Sequence, residues 1–489
     1  MTDIITPSRA TAKLIDGKAA AAAVAAASAD ATAAEAPAAE PTPAAQPTPA
    51  AAAADIPTQV ITEGSVKKEY FDSGYFIYQS QNMSFEQVQH QIFTPSPNRM
   101  SLGTNAQVAW SKIKLENSRA SDLTLYLHHT NAFNNRAIEL YEVSNGEVLQ
   151  KRVLDMNNAG NQPWMLRGSA VFDIHLQGQQ QMTLFVKHLG YSHQWYELNL
   201  YDENESKRAL ISLYSDVYLF AGMLLALIIF NFLLYFSSRL IEHLFYACFL
   251  ISGALWITFS YGLQADLLNI YGYVTLKWHL SLVAMPIFLM LFMMSIFETK
   301  KKYPVEHWTL ITMVVLLVIN LAYGLYDIVT VLQYSNGIAS LVMLMTIFVT
   351  ISMVVRKHPD SLFFLFGHGL FVIFSSMAVL FYNGDAEYSY VNSHGVGIAI
   401  ILEALMLSLI IAYRMRSFEL LKEAQADLQR LADTDPLTHL FNRRHFGNAA
   451  NRLLKDATKI RQATSIAIID IDHFKNINDQ YGHPGGARP

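Results

Sequence analysis

Beyond Arg208 the chain presents seven apolar stretches, near 211–236, 243–263, 276–297, 307–326, 333–355, 361–382 and 392–413. Each is about 20 residues long, enough to cross a hydrocarbon core about 30 Å thick as a helix. In lipid every backbone N–H and C=O must be satisfied internally, so residues 211–413 are expected to form a seven-helix bundle. The composition agrees: 52% of the residues are hydrophobic and 15% charged, against about 25% charged in ordinary soluble proteins. A net charge of -5 over 489 residues gives no general attraction to nucleic acid. The single cysteine, Cys248, lies in an apolar stretch and cannot close a disulfide within the chain.

The loops between the stretches set an orientation. Arg239, then Lys300, Lys301 and Lys302, then Arg356 and Lys357 follow the first, third and fifth stretches, and Arg414 and Arg416 follow the seventh. The alternate loops carry Asp266, Asp327, Asp385 and Glu387 instead. Basic loops stay cytoplasmic, so the C-terminus is expected in the cytoplasm and the region before the first stretch on the opposite, outer side. Lys207, Arg208 and Lys277 run against the trend and are outnumbered.

Residues 1–64 are dominated by alanine, proline and threonine and lack the large apolar side chains a core requires. Lys13 and Lys18 precede an alanine run containing Ala27-Ser28-Ala29, which suits either a weak export signal or a flexible tether. From 65 to 207 the pattern changes to short alternating segments such as DLTLYLHH, RAIELYEV and QMTLFVKHL, separated by polar turns, as in an all-β sandwich or jelly roll. Asn145-Gly146, between two such segments, suits a two-residue hairpin turn that needs positive φ. Trp110, Trp164, Tyr191, Trp195 and Tyr196 would suit a face that stacks a carbohydrate or another small ligand, although aromatic residues of a sandwich are more often core.

Within the apolar stretches Asn231, Asn320, His368 and Glu403 must face the bundle interior or a cavity. Glu403 is the principal candidate for a proton or ligand site, with His368 as its expected partner; a hydrogen bond that only fixes helix packing is the alternative. Residues 414–433 read as a helix leaving the membrane, with Phe418, Leu421, Leu428 and Ala432 near heptad spacing. A dimeric stalk is the natural reading, against a solvated linker helix.

In residues 434–489, Asp435 before Pro436 signals a helix start. The run SIAIIDID reads as a buried strand that ends on Asp470 and Asp472, with a helix after it. Carboxylates at such an edge can hold divalent ions against a nucleotide's phosphates, and on spacing alone a plain helix cap at Asp472 is the commoner outcome.

The segments DPLTHLFNRR and IDIDHFKNINDQYGH together resemble the opening of the GGDEF domain of diguanylate cyclases, which join two GTP molecules into cyclic di-GMP. The resemblance implies a partial α/β, palm-like domain in which Asp470 and the backbone carbonyl of Ile471 bind Mg²⁺ or Mn²⁺. It implies further that the backbone of His473 and Phe474 meets the phosphates and that Asn478 reads guanine. His439 stands where that family usually has glycine, and Ala487 where an aspartate is expected. The GG(D/E)EF loop is not among the 489 residues, so the chain as given is expected to be inactive as a cyclase, the alternative being a non-catalytic membrane receptor or fragment. Residues from YFDSGYFIYQS through WYELNLYD to LIIFNFLLYF resemble seven-transmembrane receptors with diverse intracellular signalling modules, with a type-2 extracellular head. That resemblance implies a receptor of the bacterial inner membrane with a periplasmic head and an unknown periplasmic small ligand, and the stalk helix a homodimer.

Overall fold

The computed structural model describes residues 55–78, 83–104, 106–191, 194–436, 438–460, 463, 465–470, 472, 473, 475 and 479. The export-signal reading at 27–29 therefore lies outside the described residues.

The alternating segments form a two-sheet sandwich. One sheet runs β4 (Thr94–Pro97), β3 (Asp72–Ile77), β6 (Val108–Asn117), β12 (Gln181–Leu189), β8 (Ala137–Ser144) and β9 (Glu147–Asp155), and β1 (Thr58–Ile61) lies parallel on β6. The other runs β10 (Met165–Leu166), β11 (Ser169–Leu176), β7 (Leu123–His129), β13 (Trp195–Tyr201) and β2 (Lys67–Lys68), with β5 (Arg99–Ser101) on β13. The sandwich thus begins upstream of residue 65, because Val60 and Ile61 pair with Glu116 and Asn117.

Period-two alternation sends Leu184 and Val186 of β12 into the core between the sheets, with Leu127, Phe172 and Leu198. Phe185, between them in sequence, joins a smaller cluster with Trp110, Tyr141 and Phe93 on the other face. The short helix Phe85–Val88 covers that cluster, and Phe85 stacks on Tyr141 at 4.2 Å between ring centroids. Each such buried side chain contributes about 1.5–3 kcal/mol. Asn145 and Gly146 take φ of 51° and 82° between the paired Ser144 and Glu147, as the hairpin requires.

Among the described residues seven helices are long and apolar enough to cross a membrane. They are α1 (Ser215–Ser238), α2 (Ile241–Ser260), α3 (Leu280–Ile296), α4 (Pro304–Tyr326), α5 (Ser335–Val355), α6 (Ser361–Asn383) and α7 (Tyr390–Asp433). The last strand of the head enters α1 through the helix Glu203–Ser212, which Asp202 caps at the Glu205 N–H (2.9 Å). The other Asp202 oxygen accepts from the Val66 N–H at 2.7 Å, so one carboxylate ties the head to the helix. At the far end of the bundle Arg414 pairs with Glu242 (3.8 Å) and Asp360 (3.6 Å), and Arg356 with Glu306 (3.0 Å). These contacts gather the basic loops at one end.

α7 is a single helix of 44 residues, about 65 Å long at the usual rise. It carries the seventh apolar stretch and the stalk without a break. Beyond it the structure departs from the sequence reading in two places. Asp435 caps a turn instead of a helix: its carboxylate accepts from the Thr438 N–H (2.9 Å) and hydroxyl (3.1 Å), and the chain reverses so that Thr434 bridges Phe441. The helix starts later, as α8 (Arg443–Ile460), where Asn442 accepts from the His445 N–H at 3.0 Å. Residues 465–470, expected as a buried strand, are extended, exposed and outside any sheet. A strand exists only where a neighbouring strand takes its backbone groups, and among the described residues none pairs with 465–470 in a sheet.

Candidate functional site

The hairpin β10–β11 turns through Arg167 and Gly168, with φ of 53° and 82°, and its tip reaches the bundle. Arg167 grips Asp266 with two parallel bonds of 2.8 Å, and the Tyr218 hydroxyl donates to the same carboxylate at 2.8 Å. The guanidinium holds the Asp266 carboxyl below the usual carboxylate range. Tyr214 donates to the Arg167 carbonyl at 2.8 Å, and a Cβ on Gly168 would lie 2.7 Å from that tyrosine hydroxyl. Only glycine combines the positive φ with so close an approach.

A second contact lies at the junction of α6 and α7. Ser101 donates to the Tyr382 carbonyl at 3.1 Å. Trp195 sits against Phe381, Tyr382 and His394, with centroids 5.8, 6.0 and 6.2 Å away. Trp195 and Tyr196 are adjacent on β13 and point to opposite faces. Tyr196 is buried within the head, Trp195 against the bundle. Trp110 is buried under the Phe85–Val88 segment, Trp164 is half-buried against Phe172, and Tyr191 meets Tyr273. These five aromatic residues therefore form no common exposed face: Trp110 and Tyr196 are buried, Trp164 is half-buried against Phe172, and Tyr191 and Trp195 belong to the interface with the bundle.

Deep among the helices, His368 joins Glu403 (Nδ1 to Oε1, 2.7 Å) and Thr346 (Nε2 to Oγ1, 2.7 Å). All three are buried, and together they link α6, α7 and α5. Glu403 Oε2 has no hydrogen-bond partner among the described residues. Two proton arrangements keep the group neutral: an imidazolium beside a carboxylate, or a neutral imidazole that donates to Thr346 and accepts from a protonated Glu403. They differ only by movement of one proton along the 2.7 Å bond. Asn231 bonds within its own helix, to the Leu227 carbonyl at 2.9 Å, whereas Asn320 lines a cavity.

The C-terminal region is less assembled. Asp470 ends the exposed extended segment and His473 lies in an exposed turn with φ of 59°. Ile471, Phe474 and Asn478 lie outside the described residues. A carboxylate is a suitable hard donor for Mg²⁺ or Mn²⁺. Among the described residues no group of three or more His, Cys, Asp or Glu side chains gathers into a metal site. His439 takes φ of 58° in the turn that Asp435 closes, which accounts for glycine at this place in the family it resembles.

Sequence reasoning missed the head–bundle contact. The Arg167-Gly168 pair between short apolar segments is a hairpin signal, yet nothing in the sequence tells what the hairpin touches.

Comparison with known proteins follows the same order along the chain. Residues 72–202 match the 7TMR-DISM extracellular 2 family, residues 216–414 the 7TM diverse intracellular signalling family, and residues 432–488 the diguanylate cyclase GGDEF domain. The molecule is thus a multidomain membrane protein in which a receptor-type head and seven-helix bundle precede a GGDEF region. That last region is 45% identical over 64 residues to a diguanylate cyclase of Vibrio cholerae, covering 13% of this chain and 20% of the relative. It is 41% identical over 66 residues to the diguanylate cyclase TpbB of Pseudomonas aeruginosa (14% and 15%). It is 48% identical over 56 residues to the response regulator PleD of Caulobacter vibrioides (12% of each). The chain therefore spans a fifth or less of the length of these relatives, and the GGDEF region is of the diguanylate cyclase family.

Proposed function

We propose that this chain is a bacterial inner-membrane receptor that controls the synthesis of cyclic di-GMP from two GTP, with its head in the periplasm and its C-terminus in the cytoplasm. The observation that carries the reading is continuity. Trp195 of the head touches His394 near the start of α7, and α7 runs unbroken to Asp433, where the GGDEF match begins. A rigid helix carries a displacement at one end to the other, and a ligand acts only by binding two arrangements of that helix differently.

In this reading the exposed stripe of Phe418, Leu421 and Leu428 on α7 packs against a second copy of the chain, so that two GGDEF domains face each other. Asp470 and the Ile471 carbonyl would hold Mg²⁺ or Mn²⁺, which would supply positive charge against the negative triphosphate. The backbone of His473 and Phe474 receives phosphate oxygens, and Asn478 hydrogen-bonds guanine. His368 and Glu403 form the intramembrane functional pair.

The test uses the chain continued through a complete GGDEF domain and reconstituted in membranes. It converts GTP to cyclic di-GMP, and Asp470→Ala lowers the rate by about a hundredfold or more, as expected when a metal ligand of a phosphoryl-transfer site is lost. Full activity in that variant overturns the role of Asp470, and no product from the parent overturns the cyclase reading. Reporter fusions at Arg208 and Ser417 are expected in opposite compartments; the same compartment for both overturns the topology.

A further inference from the structure

Two cavities lie in series between the head and the middle of the bundle. Each has a cavity volume of about 100 Å³ and is partly open. Trp256, Leu282, Ser335, Asn336 and Tyr382 line both, so the two chambers adjoin across these residues. Their chemistry differs. The outer chamber is walled by five side-chain amides, Asn131, Asn134, Asn135, Gln194 and Asn336, together with Tyr191 and Trp195. Among the described residues no Asp, Glu, Lys or Arg lines it. The inner chamber is walled by apolar side chains such as Met285, Leu289, Val342 and Phe371, and His368 of the buried triad lies in its lining.

Both chambers hold polar groups without partners among the described residues. Trp195 Nε1 and Asn131 Nδ2 lie in the outer wall, Ser375 Oγ and Asn320 Nδ2 in the inner. Trp195 and Ser375 are 8% and 5% exposed. A buried donor left unpaired is destabilising, so a ligand that supplies an acceptor suits these groups. His279 adds an acceptor of its own. Its Nδ1–H donates to the Thr275 carbonyl at 3.0 Å, which leaves Nε2 in the outer chamber with a lone pair.

We propose that this cavity binds a small, uncharged amphiphile, with a hydroxyl or amide head among the outer amides and a short hydrocarbon tail in the inner chamber. A charged head finds no counter-ion in the outer wall and loses its hydration there. A wholly apolar molecule leaves Trp195 and Asn131 unpaired, and a sugar without a tail leaves the inner chamber unfilled. The ligand bridges β13 of the head to α5 and α6, next to the start of α7. The inference rests on the receptor reading for its consequence, and its test reads binding alone.

Trp195 and Trp256 line the cavity, so a bromine atom inside it quenches their fluorescence. The full chain carrying Asp470→Ala, in lipid nanodiscs, is titrated with 8-bromo-1-octanol and, above the carboxyl titration range, with 8-bromooctanoate. The alcohol is expected to quench saturably and the carboxylate about tenfold more weakly, the difference a desolvated charge imposes. Trp256→Phe removes most of the saturable signal. Ser375→Leu and, separately, Ala339→Leu fill the inner chamber and weaken binding about tenfold by loss of tail contact, while thermal unfolding shows each variant folded. Quenching that rises linearly and equally for both probes is partition into the bilayer and overturns the proposal. So does saturable binding that prefers the carboxylate, or binding unchanged in both filled variants. None of these outcomes depends on cyclase activity, so their failure leaves the enzymatic reading to its own test.

Discussion

Single residues set the chemistry at two depths. In the membrane, Glu403→Gln keeps the shape of the side chain and its bond to His368 but removes the ionisable proton. It is expected to leave thermal stability within about 1 kcal/mol while abolishing signal-dependent cyclase output in a chain with a complete GGDEF domain. Glu403→Leu strands His368 and is expected to cost roughly 3 kcal/mol or more, since breaking a buried pair leaves one member uncompensated. If both variants signal and unfold like the parent, the pair is packing only. In the head, His128 and His129 are held at about 4 by burial, and His188, bonded to His129 at 3.0 Å, lies well below its usual value. Their unfolded value is near 6.5, so between those limits the unfolded chain binds more protons. Stability present above that value is therefore lost as pH falls toward 4, by roughly 1.4 kcal/mol per unit for each histidine. His128 also meets Ser206 (2.7 Å) on the helix leading into α1, so acid loosens that joint. Melts of the head against pH should show this slope, and His128→Gln should remove about one proton from it. A flat profile contradicts the burial of these rings.

At the scale of elements, α7 makes the most exposed claim. Leu428 is 67% exposed beside other apolar side chains on a helix that leaves the bundle, and a heptad face of this kind is stable only against a partner. With Cys248→Ser removing the one native thiol, Leu428→Cys is expected to cross-link two chains in oxidised membranes, and Glu423→Cys, on the opposite face, far less. Equal cross-linking at both sites would mean collision and not a stalk. Much of this architecture was legible in the sequence because it rests on local periodicity. The seven stretches have the length of a bilayer crossing, the sandwich strands alternate, and Asn145-Gly146 declares its turn. What was not legible depends on contacts distant in sequence. The Asp435 turn needs Phe441 opposite Thr434, the sandwich recruits Thr58–Ile61 only because β6 offers an edge, and residues 465–470 read as a strand although they join no sheet among the described residues. The candidate site divides the same way. Glu403 and His368 stand out as polar groups in apolar stretches, whereas the amide-lined chamber is assembled from head loops and helix ends that no spacing rule connects.

For the whole molecule, the question is how firmly the head sits on the bundle. The Arg167–Asp266 contact is bidentate, and Asp266 is nearly buried while Arg167 is about one-third exposed (8% and 35% for the side chains). It closes a span of about a hundred residues between a hairpin tip and the loop after α2. Exposed ion pairs contribute little, but a planar fork on a shielded carboxylate that also accepts from Tyr218 is geometrically fixed. Arg167→Leu leaves Asp266 short of its main partner, and Asp266→Asn leaves the guanidinium without a counter-charge. Each single change is expected to lower the stability of the docked head by about 1–2 kcal/mol, and the double change by less than the sum, with a coupling near 1 kcal/mol. Limited proteolysis at the Glu203–Ser212 helix reports release of the head, and cyclase output in a chain with a complete GGDEF domain reports its consequence. If the head is a lever held by this contact and by Trp195, all three variants move the basal output in one direction and expose that helix. Additive energies with unchanged proteolysis would mean that the hairpin rests on the bundle without holding it, and transmission would then have to run through Trp195 and α7 alone.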